Sequence, residues 1–241
     1  MANAGFQVEI QMSAATVTAM VNSGFYLYGF KAVQSSDLAG RPLVWLRMQS
    51  YFTITSINWA EQYEAYISTS PLSTNEQISV GSSAAIALGQ TWQIQSGGVG
   101  TVTSGGPSTA ISILNTTDTE LTCGVSETLN GAASPLCAFP LYGNTLDVIS
   151  PIEKILLMFC TSLIEAGTVV GQSGSSDSSA SYVFGAPGSL SSGILIELTA
   201  ANQRCVSFDS NEGWSWGEYS WAQQVLPTSD LVSLLIEAPG T

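Results

Sequence analysis

Apolar and polar residues alternate along much of this chain, and the dominant period is two. Residues 26–31, 194–199 and 231–236 place apolar side chains at every second position, and residues 51–59 are rich in β-branched and aromatic types. Such runs bury one face of a pleated strand. Serine, threonine, glycine, asparagine and aspartate cluster between them and supply turn geometry. The pattern predicts more than ten short strands and no helix, although residues 153–165 satisfy a helix as well as a strand.

Regular short strands separated by turns predict an all-β fold, a two-layer antiparallel β-sandwich. A length of 241 residues suits one such unit, so we expect a single β-sandwich domain over residues 1–241. Three segments have the composition of loops, at 96–107, 130–135 and 171–180. The last resembles a linker, but strands expected at 168–170 and 182–184 pair well as a hairpin, which favours a long surface loop.

Charge is scarce and mostly negative: 18 acidic side chains stand against 5 basic ones, and the formal net charge is −13. Nucleic acids and anionic membrane surfaces repel such a chain, so we expect neither as a partner. The absence of histidine removes Ser-His-Asp and Cys-His catalysis and imidazole metal sites, and we expect no enzyme. Charged residues make up only 10%, which is low for the surface of a monomer and predicts a homodimer.

The first residues lack a basic segment followed by an apolar one, and the longest purely apolar run, residues 155–160, is too short to cross a bilayer. We therefore expect no membrane partner and a cytoplasmic location. The four cysteines form no CxxC pair, so we expect small buried residues in a reducing compartment. A disulfide between Cys123 and Cys137, which flank a loop, is the alternative.

Aromatic residues fall mainly in two groups, one from Phe25 to Tyr66 and one from Phe208 to Trp221. Tryptophan and tyrosine combine a flat apolar ring with one hydrogen-bonding group, which suits a planar aromatic ligand or a sugar ring. Core packing is the alternative for each of them. The candidate ligand-binding residues are Tyr28, Trp45, Trp59, Tyr63, Trp214, Trp216 and Trp221. The string WAEQY at 59–63 echoes WGEY at 216–219, a match short enough for chance to explain.

Oxygen ligands lie close to the second aromatic group. Asp209, Asn211 and Glu212 offer the hard ligands that Mg²⁺ or Ca²⁺ prefers, and an Asx turn with solvated acids is the alternative. In the first group, we expect Lys31 and Arg47 each to pair with a carboxylate, because the chain is so acidic. A buried lysine beside a ligand would instead polarise a carbonyl or form an imine.

Three strings carry a resemblance to a group of fungal fruiting-body proteins that includes pink chromoproteins: SGFYLYGFKAV at 23–33, PLVW at 42–45 and NWAEQY at 58–63. The resemblance implies two stacked β-sheets similar to the fungal fruit-body lectins, with an actinoporin-like fold. It also implies a non-covalent indolone-type chromophore and a homodimer with bound metal. The lectins are far shorter than this chain. Actinoporins begin with an amphipathic helix, whereas residues 5–12 alternate like a strand, which disfavours pore formation.

The leading hypothesis is therefore a non-enzymatic chromoprotein that holds a planar aromatic pigment in a pocket lined by tryptophan and tyrosine. A lectin-like sugar-binding protein is the alternative. An enzyme that uses Asp, Glu or Tyr for proton transfer, and a storage protein without a ligand, come after these two.

Overall fold

A computed structural model describes residues 5–170, 192–226 and 229–239. The loop expected at 171–180, and the hairpin strand expected at 182–184, lie outside the described residues. Within those residues the chain forms 17 strands and two short helices. In chain order, the strands are β1 (Gly5–Gln11), β2 (Tyr26–Ser35), β3 (Arg41–Pro42), β4 (Leu46–Met48), β5 (Ile54–Ser68), β6 (Ser82–Ile86), β7 (Gln90–Ile94), β8 (Gly100–Ser104), β9 (Ile111–Asn115), β10 (Leu121–Leu129), β11 (Ala132–Leu141), β12 (Leu146–Cys160), β13 (Gly193–Glu197), β14 (Gln203–Asp209), β15 (Gly213–Ser215), β16 (Ala222–Val225) and β17 (Ile236–Glu237).

The strands form two sheets that pack together. In the first sheet the order is β15-β14-β1-β5-β10-β11-β3, and β6 pairs with β5. In the second the order is β16-β13-β12-β9-β7-β8, and β2 pairs with β12, β4 and β17. The predicted all-β, two-layer architecture is confirmed. The sheets are mixed rather than purely antiparallel, because three pairs are parallel: β1 with β14, β7 with β9, and β17 with β2.

In β1, burial alternates from residue to residue, as the sequence predicted. Val8 and Ile10 are fully buried between the sheets, whereas Gln7 and Glu9 on the other face are half-exposed. β2 and the last six residues of β12, 155–160, break this alternation, because both of their faces are covered. One face contributes to the main core between the sheets. The other packs under the C-terminal helix, with Leu231 and Leu235 against a second apolar cluster.

The prediction of an all-strand chain is wrong in two places. Helix α1 (Ala14–Asn22) begins at Ser13, whose hydroxyl accepts a hydrogen bond from the amide of Thr16, and it buries Thr16 and Met20 one turn apart. Helix α2 (Leu231–Leu235) begins at Asp230 and replaces the strand expected at 231–236. A short apolar run satisfies both periods, and the capping aspartate was the overlooked signal.

The loop predictions need smaller corrections. Residues 100–104 of the segment 96–107 form β8. In the segment 130–135 only Asn130 and Gly131, which both have positive φ, form a tight hairpin turn, and residues 132–135 belong to β11. Residues 153–165 satisfied both a helix and a strand, and the structure shows a strand up to Cys160. All four cysteines are free, and Cys205 is exposed rather than buried. No helix in the described ranges is long and apolar enough to span a membrane.

Candidate functional site

Three of the predicted ligand-binding residues, Trp45, Trp59 and Tyr63, lie around a lysine in the middle of the sandwich. The amine of Lys31, on β2, is 2.9 Å from the Glu153 carboxylate on β12 and 3.2 Å from the Glu127 carboxylate on β10. It lies 4.9 Å from the ring centre of Trp59 and 5.7 Å from that of Trp45, within cation–π range. We call these six residues the buried charge centre.

Irregular strand pairing builds this centre. The bulge of β12 between Pro151 and Ile155 lies opposite β2 and contains Glu153. In β5, residues 61–62 are extra where the strand pairs with Glu127 and Thr128 of β10. A bulge turns side chains that regular alternation would place elsewhere, and bulges are enriched beside functional sites. Lys31 and Glu127 point between the sheets in positions that their neighbours fill with apolar residues.

Burial dominates the electrostatics of the centre. It raises the pKa of Glu127 to about 7, against the opposing effect of Lys31 and with a further increase from Glu153. Burial, followed by the charge of Glu153, also raises the pKa of Glu61 at the edge of the centre. The pKa of Tyr63 rises well above its usual range through burial and the nearby charges of Glu127 and Glu153. The single buried cation is therefore outnumbered by carboxyl groups, and one of them holds its proton to near-neutral pH.

The ion pair at the middle of the centre is buried, which limits its chemistry. Lys31 and Glu127 are fully buried, and the indole nitrogen of Trp59 donates to Glu153 over 3.1 Å. The indole nitrogen of Trp45 and both oxygens of Glu127 have no hydrogen-bond partner, since the contact from Lys31 to Glu127 is an ion pair without hydrogen-bond geometry. The expected carboxylate pairing of Lys31 is found, and these contacts favour core packing for Trp45 and Trp59. Arg47 likewise pairs with Glu165, at 2.6 Å.

Tyr28 lies apart from this centre, on the other face of β2. Its hydroxyl donates to the carbonyl of Ser162 over 2.7 Å and accepts from the amide of Ile164 over 2.9 Å. Burial raises its pKa to about 12. Tyr28 therefore anchors the segment that follows β12.

The remaining predicted residues, Trp214, Trp216 and Trp221, belong to one surface stretch, residues 213–221, which we call the surface aromatic segment. Trp214 is buried, and its ring stacks on Phe159 at 5.6 Å and meets Phe208 edge-on at 4.9 Å. Its indole nitrogen donates to the carbonyl of Ser192. Trp214 thus anchors the segment in the core, while Trp216 and Trp221 are only half-buried.

A tight turn organises the exposed part of this segment. Gly217 and Glu218 both have positive φ, 72° and 58°, as in a type I′ turn, and the indole nitrogen of Trp216 donates to the carbonyl of Tyr219 over 3.1 Å. The ring of Tyr219 lies parallel to that of Trp221, at 17° and 6.0 Å between centres. Tyr219 is 62% exposed. Its ring is therefore a flat apolar surface held open to solvent.

A cation and an open depression belong to the same part of the surface aromatic segment. The guanidinium of Arg204 lies 4.7 Å from the ring centre of Trp221. An open depression of about 500 Å³ is lined by residues 214–218. Tyr219 and Arg204 were not among the predicted site residues. The signal for Tyr219 was its place in the second aromatic group, and the structure adds that a side chain at Gly217 would come within 3.0 Å of its ring.

The predicted metal ligands adjoin the segment at the end of β14. One oxygen of Asp209 accepts the amides of Asn211 and Glu212, and the other accepts the hydroxyl of Thr16 from α1. These hydrogen bonds lower the pKa of Asp209. The arrangement is the Asx turn considered as the alternative. No group of three or more His, Cys, Asp or Glu residues in the described ranges is placed to hold a metal ion, and Mg²⁺ or Ca²⁺ binding by Asp209, Asn211 and Glu212 stays a prediction.

Comparison of this chain with protein-family models, curated proteins and solved structures found no match. The resemblance to fungal fruiting-body proteins therefore stays a prediction.

Proposed function

We propose that this protein is a non-enzymatic binding protein for a planar aromatic small molecule, and that the surface aromatic segment is its binding face. The observation that carries the proposal is the exposed ring of Tyr219, which is aligned with Trp221 and directly follows in the chain the residues 214–218 that line the depression. Flat rings stack in offset geometry, and such a pair contributes about 0.5–1.5 kcal/mol beyond the area it buries. An indolone-type pigment has the required flat shape.

Polar groups of the surface aromatic segment and of its neighbour Arg204 would orient such a guest. Glu218 lines the depression, and Arg204 lies over Trp221. A carbonyl on the ligand would face the guanidinium, and an N–H would face the carboxylate. A ligand held by stacking and two polar contacts is typical of small-molecule sites.

The absence of histidine supports a binding role over catalysis. The group best suited to proton transfer near neutral pH, Glu127, is sealed in the core, where a substrate would have no access to it. A carboxyl group that transfers protons to a substrate needs to lie within hydrogen-bond reach of it.

We propose a homodimer as the form that binds the ligand. Large apolar side chains are strongly exposed at several places, among them Phe52 at 69%, Ile54 at 60% and Tyr219. A second copy that covered part of this surface would exclude water from an otherwise open depression. Sedimentation velocity at micromolar concentration tests the proposal, and a species of 25 kDa would overturn it.

The decisive experiment is the absorption spectrum of protein purified from its native source, followed by analysis of what it releases on denaturation. We expect a visible band and a planar aromatic compound. Titration of recombinant protein with isatin, a planar indole dione, should quench tryptophan fluorescence. Tyr219→Ala should weaken the quenching, whereas Tyr142→Ala, which removes another exposed tyrosine (55%), should not.

A colourless protein that releases no aromatic compound and does not bind isatin would overturn the proposal. A saccharide is the second candidate for the same face, since the apolar face of a pyranose also stacks on tyrosine. Fluorescence changes with neutral sugars that disappear in Tyr219→Ala, together with no response to isatin, would favour it over the pigment.

A further inference from the structure

A second concave region lies at one end of the sandwich, where the two sheets meet. It has a volume of about 340 Å³ and is lined by residues from the ends of β5 and β7, the starts of β6 and β10, and the connections after β5, β7 and β9. We call it the hydroxyl-lined hollow. The surface aromatic segment contributes none of its lining residues.

The floor of the hollow is apolar. It consists of Ile67 and Ile94, both buried in the main core, and Leu121, which packs against that core. Such a surface offers contact to the C–H face of a ring without providing a hydrogen-bond partner for its substituents. It favours a ligand with one apolar face over a free ion.

The rim is polar and uncharged. None of the lining residues is Asp, Glu, Lys or Arg, in a chain whose net charge is −13. Within the part of the chain that the structure describes, the side-chain hydroxyls of Ser82, Ser96 and Thr119 make no hydrogen bond to protein. Hydroxyls that both donate and accept match the hydroxyls of a polyol.

The hollow is held in shape by backbone hydrogen bonds. The turn after β7 is closed by Gln95 N–H to Val99 C=O at 2.7 Å and by Gly98 N–H to Gln95 C=O at 3.1 Å. Gly98 has φ of 74°, and a side chain there would contact Ile67 and Ser82 across the gap between the sheets. The glycine therefore keeps the space open, and a pre-formed site spares a ligand the entropy cost of ordering it.

We infer that the hydroxyl-lined hollow binds a neutral polyhydroxylated ring, a monosaccharide or a cyclitol. The apolar floor would receive the C–H face of the ring, and the unengaged hydroxyls of Ser82, Ser96 and Thr119 would exchange hydrogen bonds with its substituents. The volume lies at the lower end of small-molecule sites, which suits one ring. The inference does not rest on the proposed function, because it uses other residues.

The test is a ¹⁵N NMR titration of the full chain with glucose, galactose, mannose and myo-inositol, with glucosamine and glucuronate as charged counterparts. We expect the amide signals of Gly97 and Gly98 to shift and saturate in the millimolar range with at least one neutral compound, and to respond less to its charged counterpart. No saturable shift of these amides with any of the four neutral compounds would overturn the inference.

Two serines of β6 provide a matched pair of variants. Ser82 faces the hollow, and its neighbour Ser83 is exposed on the opposite face of the strand. Ser82→Phe should fill the hollow and weaken binding at least about tenfold, while Ser83→Phe should leave it unchanged. Equal binding by the wild-type protein and Ser82→Phe, confirmed as folded by its NMR spectrum, would overturn the inference. Isatin binding should survive Ser82→Phe, and polyol binding should survive Tyr219→Ala, so each idea can fail alone.

Discussion

The buried charge centre and the surface aromatic segment are made from similar residues and end in opposite environments. The string 59–63 places Trp59 and Tyr63 around Lys31 with almost no exposure, whereas the related string 216–219 leaves Tyr219 mostly in solvent. In the first, two extra residues make a bulge inside a paired strand; in the second, a glycine with positive φ makes a turn. Backbone conformation, more than residue type, decides whether an aromatic ring becomes core or binding surface.

The largest expected effect comes from removing the cation of the buried charge centre. Lys31→Met would leave Glu127 and Glu153 without their partner, and stranding a buried charge in this way costs about 3–5 kcal/mol. Urea denaturation at pH 7 measures the loss. Lys154→Met is the control, because Lys154 forms its ion pairs near the surface, and we expect a loss of about 1 kcal/mol or less. Equal losses in the two variants would contradict the contrast.

The second prediction concerns pH and the carboxyl of Glu127. Its pKa of about 7 exceeds the ordinary value of 4.5, so the folded state binds this proton more tightly than the unfolded state. The stability it contributes is complete below about pH 4.5 and is lost as the pH rises to about 7, a decline of about 3 kcal/mol. Glu127→Gln should remove most of this decline.

Asp147, whose pKa burial raises from 3.8 to about 6, should maintain a decline of the same sign at lower pH, between about pH 4 and pH 6, in Glu127→Gln. Glu120→Gln, at an exposed position, is the control and should follow the wild-type curve. Denaturation midpoints from pH 4 to pH 8 provide the comparison. A Glu127→Gln curve parallel to that of the wild type would show that this carboxyl titrates normally.

The third prediction probes the surface aromatic segment. Tyr219→Ala removes a ring that is mostly exposed, so stability should change by no more than about 0.5 kcal/mol. Isatin affinity should fall about tenfold, since the stacking energy corresponds to roughly one order of magnitude in the dissociation constant. Fluorescence titration and urea denaturation of the same sample separate the two effects. A large loss of stability with unchanged affinity would reverse the assigned roles of the two regions.

The smallest expected effect comes from alanine at two glycines. Comparing the two variants separates the cost of backbone strain from a displacement of the Tyr219 ring. Gly217 and Gly24 both have φ of 72°, but a side chain at Gly217 would meet the ring of Tyr219, whereas one at Gly24 would meet nothing within 4 Å. Alanine at either position should cost about 1 kcal/mol through strain. Only Gly217→Ala should also weaken isatin binding. If Gly24→Ala weakens it equally, the contact with Tyr219 is irrelevant to the site.

The predictable part of this molecule is what local pattern controls. Alternation in β1 and the β-branched and aromatic residues at the start of β5 were enough to infer strands and two layers, because a half-buried strand carries its environment in its own sequence. Helix α2 was missed because five apolar-rich residues satisfy either period. The parallel pairing of β1 with β14 could not be predicted from the local sequence, since the two strands are separated by almost the whole described chain.

The candidate site residues were also predictable only in part. Aromatic clustering found Trp45, Trp59 and Trp216, but it could not separate core from surface. The convergence of Lys31, Glu127 and Glu153 depends on register shifts in two strand pairs, and a single sequence does not reveal such shifts. The sequence also did not single out the hydroxyls that line the hydroxyl-lined hollow, because serine and threonine are common everywhere along this chain.

The placement of β1 has a consequence during synthesis. This strand lies between β5 and β14, and its pairing with β14 joins Gln7 to Gln203 and Gln11 to Ser207. In a growing chain, β1 can pair with β5 early. The backbone amides and carbonyls on the other edge of β1 stay unpaired until β14 has been synthesised and has left the ribosome. Such an open edge invites intermolecular pairing. Newly made chains should therefore depend on chaperones until the last third of the sequence has emerged. Folding should also be slow, because the pairing of β1 with β14 joins residues that are far apart in the sequence.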